Sequence, residues 1–145
     1  MAVLEEGCFS MLNRETEIHD SVLDSMSMEE NQAVLMFSHV YIHQSEGKPG
    51  VDPGIGWTQA AIIRVANAVI GSSLSEWPRD LSDGYLKVNG EVSDNMIPIP
   101  LDQGGNVELR LETWNEVVLV SGTHIRLELL GEAQYVERFP GATTT

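Results

Sequence analysis

Apolar residues alternate with polar ones along much of this chain, and the alternation stops at clusters of Gly, Pro, Asn and Asp. A period of two marks a strand with one buried face, because successive side chains leave opposite sides of the backbone. The segment GGNVELRLETW sets Val107, Leu109 and Leu111 on one side and Glu108, Arg110 and Glu112 on the other. NEVVLVSG then pairs back across Asn115, and HIRLELLGEAQYVERF repeats the alternation with Ile125, Leu127 and Leu129. YLKVNG is a short strand closed by Asn89-Gly90, a dipeptide suited to the positive φ angles of a two-residue hairpin turn. NMIPIPL carries Pro98 and Pro100 on one parity, so both missing N–H groups point the same way, as an edge strand allows.

Upstream, EIHDSVLDSM and QAVLMFSHVYIH flank the polar cluster SMEEN. They predict a hairpin over 17–27 and 32–43. Its second arm is apolar on both faces at Val34–Phe37, which places it centrally in a sheet. WTQAAIIRVANAVIGSS is ambiguous. As a helix it aligns Trp57, Ala61, Val65 and Ala68; as a strand it aligns Ala61, Ile63, Val65, Asn67 and Val69. Alanine favours the helix, while Ile/Val content and neighbouring strands favour the strand, which is the preferred reading. SLSEWPRDLSDG reads as a loop. About eight strands with Gly/Pro/Asn turns predict an all-β, mainly antiparallel single domain, a sandwich or barrel. Residues 17–139 form that domain. Residues 1–16 read as an N-terminal arm or short helix, and 140–145 as a frayed tail.

Charge changes the picture more than size does. Twenty-two acidic residues face eight basic ones, a formal net charge of −14 in 145 residues. That field repels phosphate backbones and argues against nucleic acid as a partner, while it would steer a basic protein inward. The plainer reading is solubility alone. A single cysteine, Cys8, excludes an internal disulfide. The opening MAVLEEGCFSMLNRE lacks the basic region of a secretory signal, and no run is long enough for an apolar membrane span. A cytoplasmic protein with no membrane partner is expected.

GKPGVDPGIGW, residues 47–57, is the most distinctive stretch. It is not a phosphate loop. Lys48 precedes Pro49 with no Ser or Thr after it, Asp52 adds negative charge, and Gly54-Ile55-Gly56 lacks a third glycine. The prolines stiffen it and Trp57 can anchor its end. It predicts a rigid loop, either a plain crossover or a surface offering Lys48, Asp52, Ile55 and Trp57 to a partner.

The histidines are the candidates for metal chemistry. His39 and His43 share a strand face with Tyr41, and a hairpin turning near Glu29 would set His19 opposite His39. Three imidazoles suit Zn²⁺, although Asp20 points away from His19 on a regular strand and the spacing is no zinc signature. The plainer reading is a half-exposed polar face. Nucleophilic catalysis has little support. Cys8 has no neighbouring base in sequence, and Ser121 and His124 in VSGTH fall on opposite sides of a strand. Trp57, Trp77 and Trp114 would either line a ligand cavity or anchor core and loops.

At HDSVL, PGVDPGIGWTQA and LSDGYLKVNG, and in the acidic meander VVLVSGTHIRLELLGEAQYVERF, the chain resembles small bacterial β-rich domains of uncharacterised function. Some of these are immunity proteins of toxin systems. The resemblance spans about 17–139 and implies a β-rich, cytoplasmic, non-enzymatic protein. The expectation is a binding protein without cofactor, taking a basic protein partner or a second copy of itself. The alternatives are a small-ligand barrel and a metal-dependent hydrolase using His19, His39 and His43.

Overall fold

The computed structural model describes residues 13–139. Among them are ten strands and no helix: β1 (Asn13–Glu29), β2 (Gln32–Ser45), β3 (Gly54–Ala66), β4 (Val69–Ser72), β5 (Arg79–Asp80), β6 (Asp83–Val88), β7 (Glu91–Asp94), β8 (Met96–Ile99), β9 (Asp102–Glu112) and β10 (Val117–Phe139). They form one antiparallel sheet in the order β5-β1-β2-β3-β10-β9-β6-β7, with β4 on β10 and β8 on β1. The main body of about eight strands curls into a half-barrel.

The alternating segments build the concave core. Val107, Leu109 and Leu111 are all at most 1% exposed, and Ile125 is fully buried. Ala61, Ile63 and Val65 are likewise buried, so the ambiguous segment is strand β3. Its β-branched residues pack between β2 and β10, a two-sided pairing that overrides alanine's helix preference. The β1–β2 hairpin turns at Glu30 and Asn31, with φ of 50° and 71°; Asn89 and Gly90 repeat the pattern at 50° and 88°. Such mirror-image turns match the twist of the strands they join.

Several boundaries differ from expectation. The hairpin is longer, and residues 13–16 belong to β1 rather than to an arm. Thr16 is buried opposite Ile42, so core packing extends the strand. The rest of the expected arm, with Cys8, and the expected tail at 140–145 lie outside the described residues. SLSEWPRDLSDG is not all loop: Arg79 and Asp80 pair with Leu23 and Val22 of β1. β10 runs unbroken through Gly122, where a Cβ would sit 2.4 Å from the Ala66 carbonyl oxygen. Only glycine lets the strand pass so close as the edge opposite β9 changes partner from β4 to β3.

One excursion draws the ends of the curl together. The Leu81 N–H donates to Ser21 O, and Asp20 N–H donates to Leu81 O. The next residue turns to β9, with Ser82 N–H donating to Glu112 O. After the β6–β7 hairpin, Asn95 receives the Ile18 N–H on its carbonyl and donates its own N–H to Gly84 O. β8 then pairs with residues 14–17 of β1. Gly84 sits at this seam: a Cβ there would lie 2.3 Å from Arg110 O and 3.2 Å from two Ile18 carbons. Gly84→Ala is therefore expected to lower stability by about 1–3 kcal/mol. Urea unfolding checks this; an unshifted midpoint would mean that the seam has slack.

Candidate functional site

β1 is irregular between Glu17 and Val22, where its register against β2 shifts. Asp20 has a φ of 72°, a left-handed conformation that Asp tolerates better than most residues. On a regular strand Glu17 and His19 would share a face and Asp20 would oppose them. The irregularity brings the Asp20 carboxylate round instead. Its Oδ2 lies 3.2 Å from His19 Nδ1, and Glu17 Oε2 lies 3.6 Å from the same nitrogen.

Glu17 is the hub of this cluster. His43 Nε2 lies 2.7 Å from Glu17 Oε1, a ring N–H donating to a carboxylate. The Asn95 side-chain amide donates to Glu17 Oε2 at 3.4 Å, while its oxygen accepts the His19 backbone N–H at 2.8 Å. His43 is 8% exposed at the side chain, against 51% for His19. It stacks at a tilt on Tyr41, with ring centroids 4.7 Å apart. Gly50 lies over it, where a Cβ would come 3.8 Å from the imidazole.

The three histidines expected to converge do not. The register shift sets His39 opposite Val22 rather than His19. Among the described residues the one group able to offer three metal-ligating atoms is Glu17, His19 and Asp20. His43 joins it through Glu17, and His39 has no part in it.

The loop is shorter than its sequence suggests. β2 ends at Ser45 and β3 begins at Gly54, so Ile55 and Trp57 are strand residues. Trp57 packs against the edge of the core, as an anchor would. Asp52 is turned inward: its Oδ2 accepts the Lys48 N–H, and its own N–H donates to Lys48 O. Ser45 Oγ accepts the Gly47 N–H and donates to Pro53 O, which completes a self-bonded, stiff loop. Of the four residues expected to meet a partner, Lys48 alone is exposed, and Asp52, Ile55 and Trp57 are part-buried.

A second surface was not foreseen from sequence. The β9–β10 turn carries Trp114, 84% exposed. Exposure of that size is unusual for the largest apolar side chain. The turn itself is firmly held. Arg79 donates to Glu116 Oε1 at 2.9 Å, to Thr113 Oγ1 at 3.1 Å and to Asn115 Oδ1 at 2.6 Å. The Ser75 hydroxyl donates to Glu116 Oε2 at 2.8 Å, reinforced by the Ser75 N–H. Trp114, Val22, Pro78, Arg79 and Asp80 line an open depression of about 340 Å³, and exposed Trp77 and Glu76 adjoin Pro78 in the chain. Neither Trp57 nor Trp77 lines that depression. The interior hollow lined by Ile18, Phe37 and Leu111 holds about 10 Å³, room for one water. Only the Trp-Asn pair in a tight turn hinted at the exposed ring, since indole in sequence usually signals burial.

No protein-family model, curated protein or solved structure matches the chain.

The clamp has a pH signature. The Glu116 carboxyl is held below the ordinary glutamate range, first by the Ser75 hydroxyl bond, opposed by desolvation and aided by the Ser75 N–H and Arg79. A lowered folded pKa means that its stabilisation is present above the unfolded value and is lost as pH falls through the folded one. In 5-fluorotryptophan-labelled protein, the Trp114 fluorine resonance should hold steady through the ordinary glutamate range and move only at lower pH. Glu116→Gln should show a displaced resonance already at neutral pH; identical titrations would disprove the clamp.

Proposed function

We propose that this chain is a non-enzymatic binding protein that engages a basic protein. The observation that carries the reading is Trp114, an exposed indole on a turn fixed by hydrogen bonds. Preorganised aromatic residues are the usual energetic centres of interfaces, because little conformational entropy is lost when they are covered. The partner's chemistry follows from the surroundings. Asp80 lines the same depression as the indole, while the one cation there, Arg79, is engaged by Glu116, Thr113 and Asn115. An incoming Arg or Lys would meet an aromatic face and a carboxylate together. The net charge of −14 would speed such an encounter. Masking a basic toxin domain, in the manner of the immunity proteins the sequence resembles, is the concrete version, and a cytoplasmic setting fits it.

Affinity capture from the native lysate, at low and high salt, tests this. A partner retained at low salt should be lost with Trp114→Ala and weakened with Asp80→Asn. Its association should slow as the Debye length falls from about 10 Å at 0.1 M salt to about 3 Å at 1 M. Capture indifferent to Trp114→Ala, or no captured protein, would overturn the reading. A dimer in sedimentation that buries Trp114 would reassign the surface to self-association.

A further inference from the structure

We propose that Glu17, His19 and Asp20 form a binding site for a divalent transition-metal ion on β1, separate from the Trp114 surface. The argument begins with donor chemistry. One imidazole nitrogen and two carboxylate oxygens are a mixed set that first-row ions such as Zn²⁺ and Mn²⁺ accept, whereas Ca²⁺ and Mg²⁺ take oxygen almost exclusively.

Geometry follows. Zn–N and Zn–O bonds of about 2.0–2.2 Å, at angles between octahedral and tetrahedral, place adjacent ligand atoms about 3.0–3.5 Å apart. The separations here are 3.2 Å from His19 Nδ1 to Asp20 Oδ2 and 3.6 Å from His19 Nδ1 to Glu17 Oε2. All three donor atoms lie within 4.8 Å of one another. An ion can therefore be seated by side-chain rotation that draws the two carboxylate oxygens, within 4.8 Å of each other, toward the spacing of adjacent ligands. The half-exposed His19 and Asp20 leave the remaining coordination positions to water.

The surroundings of Glu17 fit a ligand carboxylate. A ligating carboxylate is commonly oriented by a hydrogen bond on its other oxygen. His43 supplies that bond to Oε1 from beneath the loop, while Oε2 faces His19 and takes a long bond of 3.4 Å from the Asn95 amide. Asn95 fixes the His19 backbone from across the seam. The acidic chain as a whole raises the local concentration of cations.

The rival explanation is an ion pair among the same three groups with no affinity for metal. Calorimetric titration of the untagged, chelator-treated protein with Zn²⁺ separates the two. One saturable equivalent should bind, and His19→Ala and Asp20→Asn should each weaken it at least about tenfold, a loss typical of a removed contact in a metal site. Asn keeps the left-handed backbone preference at position 20, so that variant should stay folded by circular dichroism. Two controls should bind as the parent does: Cys8→Ser, and His124→Ala, which breaks a separate exposed His124–Asp102 pair. With Co²⁺ in place of Zn²⁺, visible ligand-field bands should appear and vanish in His19→Ala. Absence of saturable binding, or binding that survives both His19→Ala and Asp20→Asn, would overturn the proposal and leave an ion pair only.

Discussion

Everything in this fold depends on one strand having three partners. β1 pairs with β2 along one edge, and its other edge must receive β8 at residues 14–17 and β5 at 22–23. A straight strand would present one continuous edge to both. The irregular stretch from Ile18 to Ser21 divides it. There the backbone takes its hydrogen bonds from elsewhere: Ile18 N–H goes to Asn95, Asp20 N–H to Leu81, and the Ser21 hydroxyl donates to Glu17 O at 2.6 Å. Irregularities of this kind bend a strand and re-aim its side chains. The curl draws its ends together because β1 bends here.

The same bend creates the chemistry. Without the left-handed Asp20, the carboxylate of residue 20 would leave the opposite face, and Glu17 and His19 would be an ordinary same-face pair. Without the pairing of Val22 and Leu23 to β5, Arg79 would not be held beside the β9–β10 turn, and Trp114 would sit on a floppy hairpin end. Closure of the curl and presentation of surface groups are therefore one construction. Among the described residues, aliphatic side chains and Phe37 make up the core beneath.

Much of this architecture was legible in sequence because alternation and turn chemistry are local. Val107, Leu109 and Leu111 declare their face by spacing alone, and Asn89-Gly90 declares a hairpin. The central position of β2 followed from its two-sided apolar run. What could not be read is what depends on distant partners. Asp20 looks like any solvated acid until Leu81 and Asn95 hold its neighbourhood open. His39 and His19 look like a cross-strand pair until the register slips. Ile55 and Trp57 look like loop residues because four glycines precede or separate them, yet β2 and β10 flank them as ladder partners. Trp114 looks like a core residue because nothing local says that Arg79, 35 positions earlier, will fasten its turn outward.

The two proposed surface sites are neighbours through β1. Val22, which lines the Trp114 depression, lies two residues beyond Asp20, and the Leu81–Ser21 and Asp20–Leu81 hydrogen bonds join the bend to the segment that carries Arg79. An ion held by Glu17, His19 and Asp20 would favour the bent form of β1 over any straighter one, since a ligand stabilises the conformation to which it binds. The bent form is also the one that docks β5 and fixes the indole's turn. Coupling between the sites needs no long pathway, only that both draw on the same backbone irregularity. Its size is bounded by the difference in ion affinity between the bent and straighter forms, because a ligand shifts a conformational equilibrium only by its differential affinity.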